Sequence, residues 1–345
     1  MRVQLGAAGR SRWRHSLAVG AGLLLGAAQQ PVRAADVSNP TVPPSSIQDQ
    51  PSVAAPPSSI ENQPSVPAPR IDVDGVAAYF TAAAARARAT QPSWSSPLVT
   101  TTGLLEQRVR FDIDYQHSGN GTNTTLLDNG KGLDLIVSDT NEIQITVPPY
   151  YIRTGVAASS PKGKPILPIA GFGDWPFLRV EQRLASSPES DGNYVLTAWL
   201  QVQAPSGIEA LTSNAWTYLP TLAFGKGWGP FDIQGTIGGV IPASHTNTLG
   251  HQIQTNIAFQ YHVLDVLWPE IEVNWTYYTD GQRGGLNQVY LTPGLVIGRF
   301  SLSTERYLKF TFGLGYQVAV APDFRAKPLT PAYNHAFLFT SRLNF

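Results

Sequence analysis

"LEQRVRFDIDY" (105–115) alternates along its length. Leu105, Val109, Phe111, Ile113 and Tyr115 fall on one side, and Glu106, Arg108, Arg110, Asp112 and Asp114 on the other. A period of two marks a strand, whose side chains point to opposite faces in turn. The polar side here is fully charged, and the apolar side is large and branched or aromatic. The same scheme recurs downstream. "NEIQITV" (141–147), "LRVEQRL" (178–184), "YVLTAWLQVQ" (194–203), "WPEIEVNWTYY" (268–278) and "YLKFTFGLGYQV" (307–318) all alternate. The closing stretch "HAFLFTSRLNF" (335–345) sets Phe337, Phe339, Leu343 and Phe345 on one face.

About twelve such segments follow one another, near 105–115, 131–138, 141–149, 176–186, 193–203, 214–225, 230–241, 249–263, 268–279, 286–300, 305–320 and 332–345. Counts of ten or fourteen also fit. Long connections (116–130, 150–175, 204–214, 242–251, 321–331) alternate with short ones (138–141, 226–229, 264–269, 301–304). Up-and-down strands with long loops at one end and short turns at the other describe an outer-membrane β-barrel. A soluble lipocalin-like barrel or a large sandwich would alternate too. The membrane barrel is preferred on three grounds. Charged residues face long apolar stripes. Aromatics crowd the strand ends: Trp175, Phe177, Tyr194, Trp216, Tyr218, Trp228, Phe231, Trp268, Tyr277, Tyr278 and Tyr307 suit two interfacial girdles. The chain also closes on Phe345 at the end of an alternating strand, which resembles the C-terminal signature read by the barrel-assembly machinery.

The expected fold is therefore all-β: a transmembrane up-and-down antiparallel barrel at 104–345, behind a Pro-rich N-terminal extension. Residues 1–34 read as a secretory signal, with a basic start, the apolar run "LAVGAGLLLGAA" (17–28) and small residues before a cut after Ala34. The run is short of the roughly 20 residues a spanning helix needs. Residues 35–103 read as a periplasmic linker and short helix. "PPSSIQDQPSV" (43–53) recurs as "PPSSIENQPSV" (56–66), a spacer too poor in apolar residues to fold. "DGVAAYFTAAAARARAT" (74–90) favours helix, and Pro92 ends it. It reads as a helix beside the linker; a pore plug or a membrane-surface helix are the alternatives.

With the apolar stripes facing lipid, the candidate lumen residues are Glu106, Arg108, Arg110, Asp112, Asp114, Glu142, Arg179, Glu181, Arg183, Trp199, Asp232, Glu270, Glu272, Tyr278, Tyr290, Lys309 and Arg342. Their mixed signs suggest ion-paired networks rather than a ring of one charge. Trp199, Tyr278 and Tyr290 could stack on aromatic rings. Closure of the barrel is expected to bring Glu106 or Arg108 near Arg342.

The enzyme classes find little footing. The chain has no cysteine, which excludes disulfides, thiolate metal sites and a cysteine nucleophile. "SHTNTLGHQ" (244–252) offers Ser244, His245 and His251, but a triad needs the base within hydrogen-bond reach of the serine, and neighbours on a strand face opposite ways. No catalytic, cofactor or metal residues are assigned, and no His/Asp/Glu spacing suggests a tight metal site. The 24 basic and 24 acidic residues balance, so nothing points to nucleic acid. The expected partners are outer-membrane lipids, the assembly machinery and a small solute.

The stretches "GFGDWPFLRVEQRL" (171–184), "NAWTYLPTLAFGKGWGPFDIQ" (214–234), "HQIQTNIAFQYHV" (251–263), "LWPEIEVNWTYYTDGQRGGLNQVYLTPGLVIGRF" (267–300) and "YNHAFLFTSRLNF" (333–345) resemble the outer-membrane family named for the meta-pathway of phenol degradation. The resemblance implies a channel or transporter of the Gram-negative outer membrane, in some members linked to uptake of aromatic compounds, with no catalytic motif. It favours passive uptake of small aromatic or hydrophobic solutes. A closed anchoring barrel and a lipid-modifying barrel enzyme are the other readings.

Overall fold

The computed structural model describes residues 73–119, 121–155, 168–321 and 333–345. The expected signal, the Pro-rich repeat and residues 156–167 of the long connection at 150–175 lie outside the described residues. The chain enters as helix α1 (Val73–Ala89) and continues into a single sheet. Its segments are β1 (Arg108–His117), β2 (Thr122–Leu127), β3 (Gly132–Ile136), β4 (Asn141–Thr146), β5 (Tyr150–Gly155), β6 (Ile169–Phe172), β7 (Trp175–Ser187) and β8 (Tyr194–Ala204). They continue as β9 (Thr217–Trp228), β10 (Phe231–Pro242), β11 (Gln252–Tyr261), β12 (Leu267–Tyr278), β13 (Asn287–Ser301), β14 (Lys309–Ala321) and β15 (His335–Asn344).

Every pairing is antiparallel, and β15 returns to pair with β1, so the sheet closes. Fifteen segments make twelve wall strands. β1 is flanked by β2 over its upper part and by β3 over its lower part. β4 then pairs with β3 and β7, while β5 pairs with β2 and β6. Thus β2 with β3, β4 with β5, and β6 with β7 are each one strand interrupted partway. The causes are local. Asp128 and Gly130 take positive φ between β2 and β3, and Pro148 and Pro149 have no N–H to give the ladder between β4 and β5. The breaks are bridged by Trp175 Nε1, which donates to Thr146 O at 3.0 Å, and by Thr146 Oγ1, which donates to Pro176 O at 2.7 Å. The stretches 116–130 and 150–175, expected as loops, therefore contain β2, β5 and β6.

The barrel is apolar outside and polar inside. Val109, Phe111, Ile145, Val180, Leu184, Leu200, Leu222, Ile237, Ile271 and Leu314 are all exposed on the outer face. Arg110, Asp112, Glu142, Glu181, Asp232, Gln234, Glu272 and Thr292 are buried on the inner one. A soluble fold would reverse this, because an exposed apolar face of such extent costs free energy in water. Exposed Trp216 and Tyr218 lie toward the long-loop end, with Tyr194, Trp228, Tyr261 and Tyr307 toward the short-turn end. From Tyr218 to Trp228 a rise of ~3.3 Å per residue, tilted near ~40°, spans ~25 Å of apolar wall. Trp268 and Tyr278 depart from the expected girdle. Both share the inward parity of Glu270 and Glu272, and both are buried.

Closure brings Arg108 diagonally beside Arg342, two residues from direct opposition. Arg342 lies opposite Arg110, while Arg108 faces Asn344. Glu106 precedes β1 and is not a wall residue. A charge placed in the outer stripe tests the orientation of the wall. Leu222→Arg, midway along β9, should lower the unfolding free energy in lipid vesicles by ~2–4 kcal/mol. An unchanged denaturant midpoint would contradict the outward assignment.

Candidate functional site: a chain segment inside the barrel

The lumen is occupied by the chain's own residues 91–107. This stretch, "QPSWSSPLVTTTGLLEQ", has no period of two or of 3.6, and Pro92 and Pro97 bar it from helix. It is irregular, yet Gln91, Trp94, Ser95, Ser96, Leu98, Thr100, Thr102, Leu104, Leu105 and Gln107 are all buried. Buried irregular main chain carries N–H and C=O groups that no helix or strand partner satisfies. The wall has to satisfy them.

The segment begins where α1 docks. Alanines 83, 84 and 87 pack against Leu105 and Ile136, Tyr79 Oη donates to Val137 O at 2.6 Å, and Arg86 pairs with Asp139 at 2.7 Å. These contacts hold α1 at the short-turn end. Gln91 then closes a loop on itself: its Nε2 donates to Leu105 O at 2.8 Å and its Oε1 accepts from Leu105 N at 3.0 Å. Arg183 secures the neck, donating to Ala87 O at 3.0 Å and to Gln91 Oε1 at 2.9 Å.

Deeper in, two carboxylates on β12 take the segment's amides. Glu270 Oε1 accepts from Leu98 N at 2.9 Å. Glu272 accepts from Val99 N at 2.7 Å, from Thr100 N at 2.6 Å and from Thr100 Oγ1 at 2.5 Å. From the seam of β1 and β15, two guanidinium groups take the carbonyls. Arg110 donates to Leu98 O at 2.5 Å, and Arg342 donates to Pro97 O at 2.6 Å and also to Ser96 O. Arg299 donates to the carbonyls of Ser93 and Trp94. Gln234 and Thr197 hold Ser95 O, Thr102 Oγ1 and Gly103 O from β10 and β8. Acids thus meet N–H groups and bases meet carbonyls, the strong charge-assisted pairing.

One side chain anchors the tip by shape. Leu98 packs with Trp268 and Val296. It lies against Gly294, Gly313 and Gly315, where an added Cβ would stand only 2.2, 2.5 and 2.7 Å from its methyls. The glycines are required there by close approach. Beside the tip, Thr101, Arg179, Trp199, Gln201, Gln254 and Asn256 border a polar cavity of about 100 Å³. That is room for roughly three waters.

The predicted lumen residues separate into two groups. Arg108 with Asp134 (2.7 Å), Arg110 with Asp112 (2.8 Å), and Arg179 with Glu181 and Glu142 form ion pairs in the wall. Glu106 joins Arg108 and Ser96 from within the segment. Glu270, Glu272, Arg183 and Arg342 instead hold the segment, and Arg110 and Glu142 do both, Glu142 accepting from Glu106 N at 2.5 Å. Asp114 accepts from Asn129 at 3.0 Å, and Asp232 from Gln234 at 3.0 Å. Lys309 is half-buried at the rim, over the Tyr307 ring at 5.2 Å, and not deep in the lumen. Trp199 lies inward with the Arg179 guanidinium 5.2 Å from its ring. Tyr278 and Tyr290 also face inward, but they are engaged: Gln288 links their hydroxyls, and Tyr290 stacks on Tyr333 at 4.7 Å. Sequence reasoning missed Gln91, Leu98, Thr100 and Arg299, and set the barrel boundary at 103/104 within the buried segment. The available signal was the break in periodicity between Pro92 and Gln107.

His251, considered above as a base, meets an acid. Its amide donates to Asp280 Oδ1 at 2.6 Å, and its Nδ1 lies 2.7 Å from Oδ2, at an exposed junction of two long loops. Among the described residues no group of three or more His, Asp or Glu could hold a metal.

No family model matches the chain, and no curated protein matches it in sequence. Among solved structures it is similar to the COG4313 outer membrane channel from Pseudomonas putida F1, at 17% identity and TM-score 0.45, covering 73% of this chain and 100% of that one. It is similar to the NanC porin at 8% identity and TM-score 0.38, covering 68% and 98% of the two chains. It is also similar to OmpT, an outer membrane protein of Vibrio cholerae, at 11% identity and TM-score 0.28, covering 69% and 95%. Superpositions this loose carry nothing about solute or gating, and the barrel is established by its own strand pairing.

Two expectations follow from the geometry. Charge-assisted hydrogen bonds are worth ~1.5–3 kcal/mol each. Glu270→Gln with Glu272→Gln should therefore raise labelling of a Thr101→Cys probe by an impermeant maleimide at least ~10-fold; the chain is otherwise free of cysteine. Equal rates would mean the carboxylates do not hold the tip. At the loop junction, hydrogen bonds from the His251 amide and ring hold the Asp280 carboxyl below its ordinary value. A lowered acid stabilises the folded form above the ordinary carboxylate range and loses that contribution as pH falls through the lowered value. Protection of the His251 amide from hydrogen exchange should fall at that acidic pH, and Asp280→Asn should remove it at neutral pH.

Proposed function

We propose that this chain is an outer-membrane channel for passive uptake of small aromatic or hydrophobic solutes, closed by its own residues 91–107 until they are displaced. The observation that carries the reading is the division of labour among the lumen charges. Glu270, Glu272, Arg342 and Arg299 all direct hydrogen bonds to a removable segment, Glu270 accepting from Gln260 of the wall as well. When that segment leaves, water can hydrate the same groups, and the result is a polar passage. The outward apolar band supports placement in a membrane, and the loop lengths support a periplasmic short-turn end. On this reading α1 and the segment enter from the periplasm. The Phe345 amide donates to Gln107 O at 3.0 Å and so ties the wall to the end of the segment. The solute class rests on the family resemblance and on the inward rings of Trp199, Tyr278 and Tyr290.

A closed anchoring barrel is the second reading, favoured by the wall's internal ion pairs such as Arg108 with Asp134. The two separate in a planar bilayer. The refolded full chain should stay closed or flicker, and the chain lacking 35–103 should conduct steadily. A folded truncated barrel that remains silent would leave the anchoring reading standing and remove the channel.

A further inference from the structure

The outer face carries one feature that neither the lumen nor the girdles explain. At the seam of β13, β14, β15 and β1 the wall is indented. A groove of about 610 Å³ runs between Ile113, Leu295, Leu314, Tyr316, Phe337 and Phe339. Its floor includes Gly294 and Gly315, the residues against which Leu98 packs from inside. Pro293 lies in it as well and has no N–H; the β13–β14 pairs skip from Leu291–Val318 to Gly294–Gly315 around it. Gly294 and Gly315 thus line the groove with their main chain while their inner side seats Leu98.

Just beyond the upper end of the groove, at the long-loop rim, two imidazoles stand together. His117 follows Tyr115 on the outer face of β1, and His335 precedes Phe337 on the outer face of β15. They are register partners, stacked at 5.0 Å with 27° between ring planes. Asn123 Oδ1 lies 2.6 Å from His117 Nδ1 and orients that ring, and Tyr316 contacts His335 at 5.8 Å. Among the described residues, His335 has no hydrogen-bond partner on its ring. An imidazole N–H is a donor that a phosphate oxygen can accept from.

We propose that the groove and the histidine pair form one binding site for an anionic phospholipid, with an acyl chain in the groove and the headgroup phosphate against His117 and His335. The proposal rests on the membrane reading given above. A second copy of the chain is the poorer occupant. A two-fold contact would set the same groove against itself, concave on concave, and bury little of the 1,200–2,000 Å² or so that a stable interface needs. A single chain of methylenes fills an apolar groove, and an anion satisfies the paired imidazoles.

Phe337→Cys carrying a bromine-quenchable fluorophore places a reporter at the top of the groove, and Tyr218→Cys with the same label, at the long-loop end of β9, is its control away from the groove; the chain has no other cysteine to label. Quenching is followed in vesicles of phosphatidylcholine with rising amounts of phosphatidylglycerol brominated on its acyl chains. The expected result is half-quenching of the groove reporter at about one third or less of the mole fraction the control needs, with that advantage lost in His117→Gln/His335→Gln; threefold corresponds to ~0.65 kcal/mol. Equal preference for brominated phosphatidylcholine, or indifference to the double histidine variant, would overturn the headgroup assignment. A groove reporter that behaves like the control would overturn the site. Disulfide-linked dimers of Leu314→Cys in the same vesicles would show that a second copy fills the groove and overturn the lipid. Absence of quenching at both reporters would instead sink the membrane reading itself.

Discussion

Main-chain polarity is the constraint on which this structure turns. Seventeen residues of irregular chain, 91–107, lie inside a closed barrel, and their amides and carbonyls have no ladder of their own. Leaving such groups unpaired in a buried site costs ~1–3 kcal/mol each, and the cost mounts over a segment of this length. The lumen resolves this with charge. Carboxylates of Glu270 and Glu272 take N–H groups from one side, and guanidinium groups of Arg110 and Arg342 take carbonyls from the other. The wall's like-charge neighbours, Arg110 opposite Arg342, are tolerable because each donates to the segment.

The same arrangement gives the closure its character. A plug held by apolar packing would expose greasy surface on leaving, and the hydrophobic effect would oppose release. Here the apolar anchors are few, Leu98 against three glycines, Trp94 and Leu104 against Val195, and Leu105 against α1, and the remaining contacts are hydrogen bonds that water can replace. The docking of α1 through small alanines at the short-turn end keeps the neck of the segment in place.

The architecture was largely legible before any coordinates. A barrel wall imposes a period of two on every strand, so apolar and charged stripes could be read from residues such as Val109 and Arg110, or Ile271 and Glu272. Where alternation was interrupted, reading failed in a specific way. Asp128, Gly130, Pro148 and Pro149 break strands at the level of the backbone, and the pattern on either side looks like loop. Trp268 was misassigned because tryptophan suits an interface by composition, while its parity with Glu270 puts it inside.

The sequence by itself determined the class of fold, the inward and outward sets, and the approximate number of strands, because each of these follows from local alternation and turn chemistry. Only the tertiary structure decided what fills the lumen and which charges hold it. Residues 91–107 have no period to read, and their partners lie as far away as Arg299 and Arg342. A contact between an irregular main chain and a distant wall leaves no mark in the order of side chains. It is set by where the barrel, once closed, places its unspent donors and acceptors.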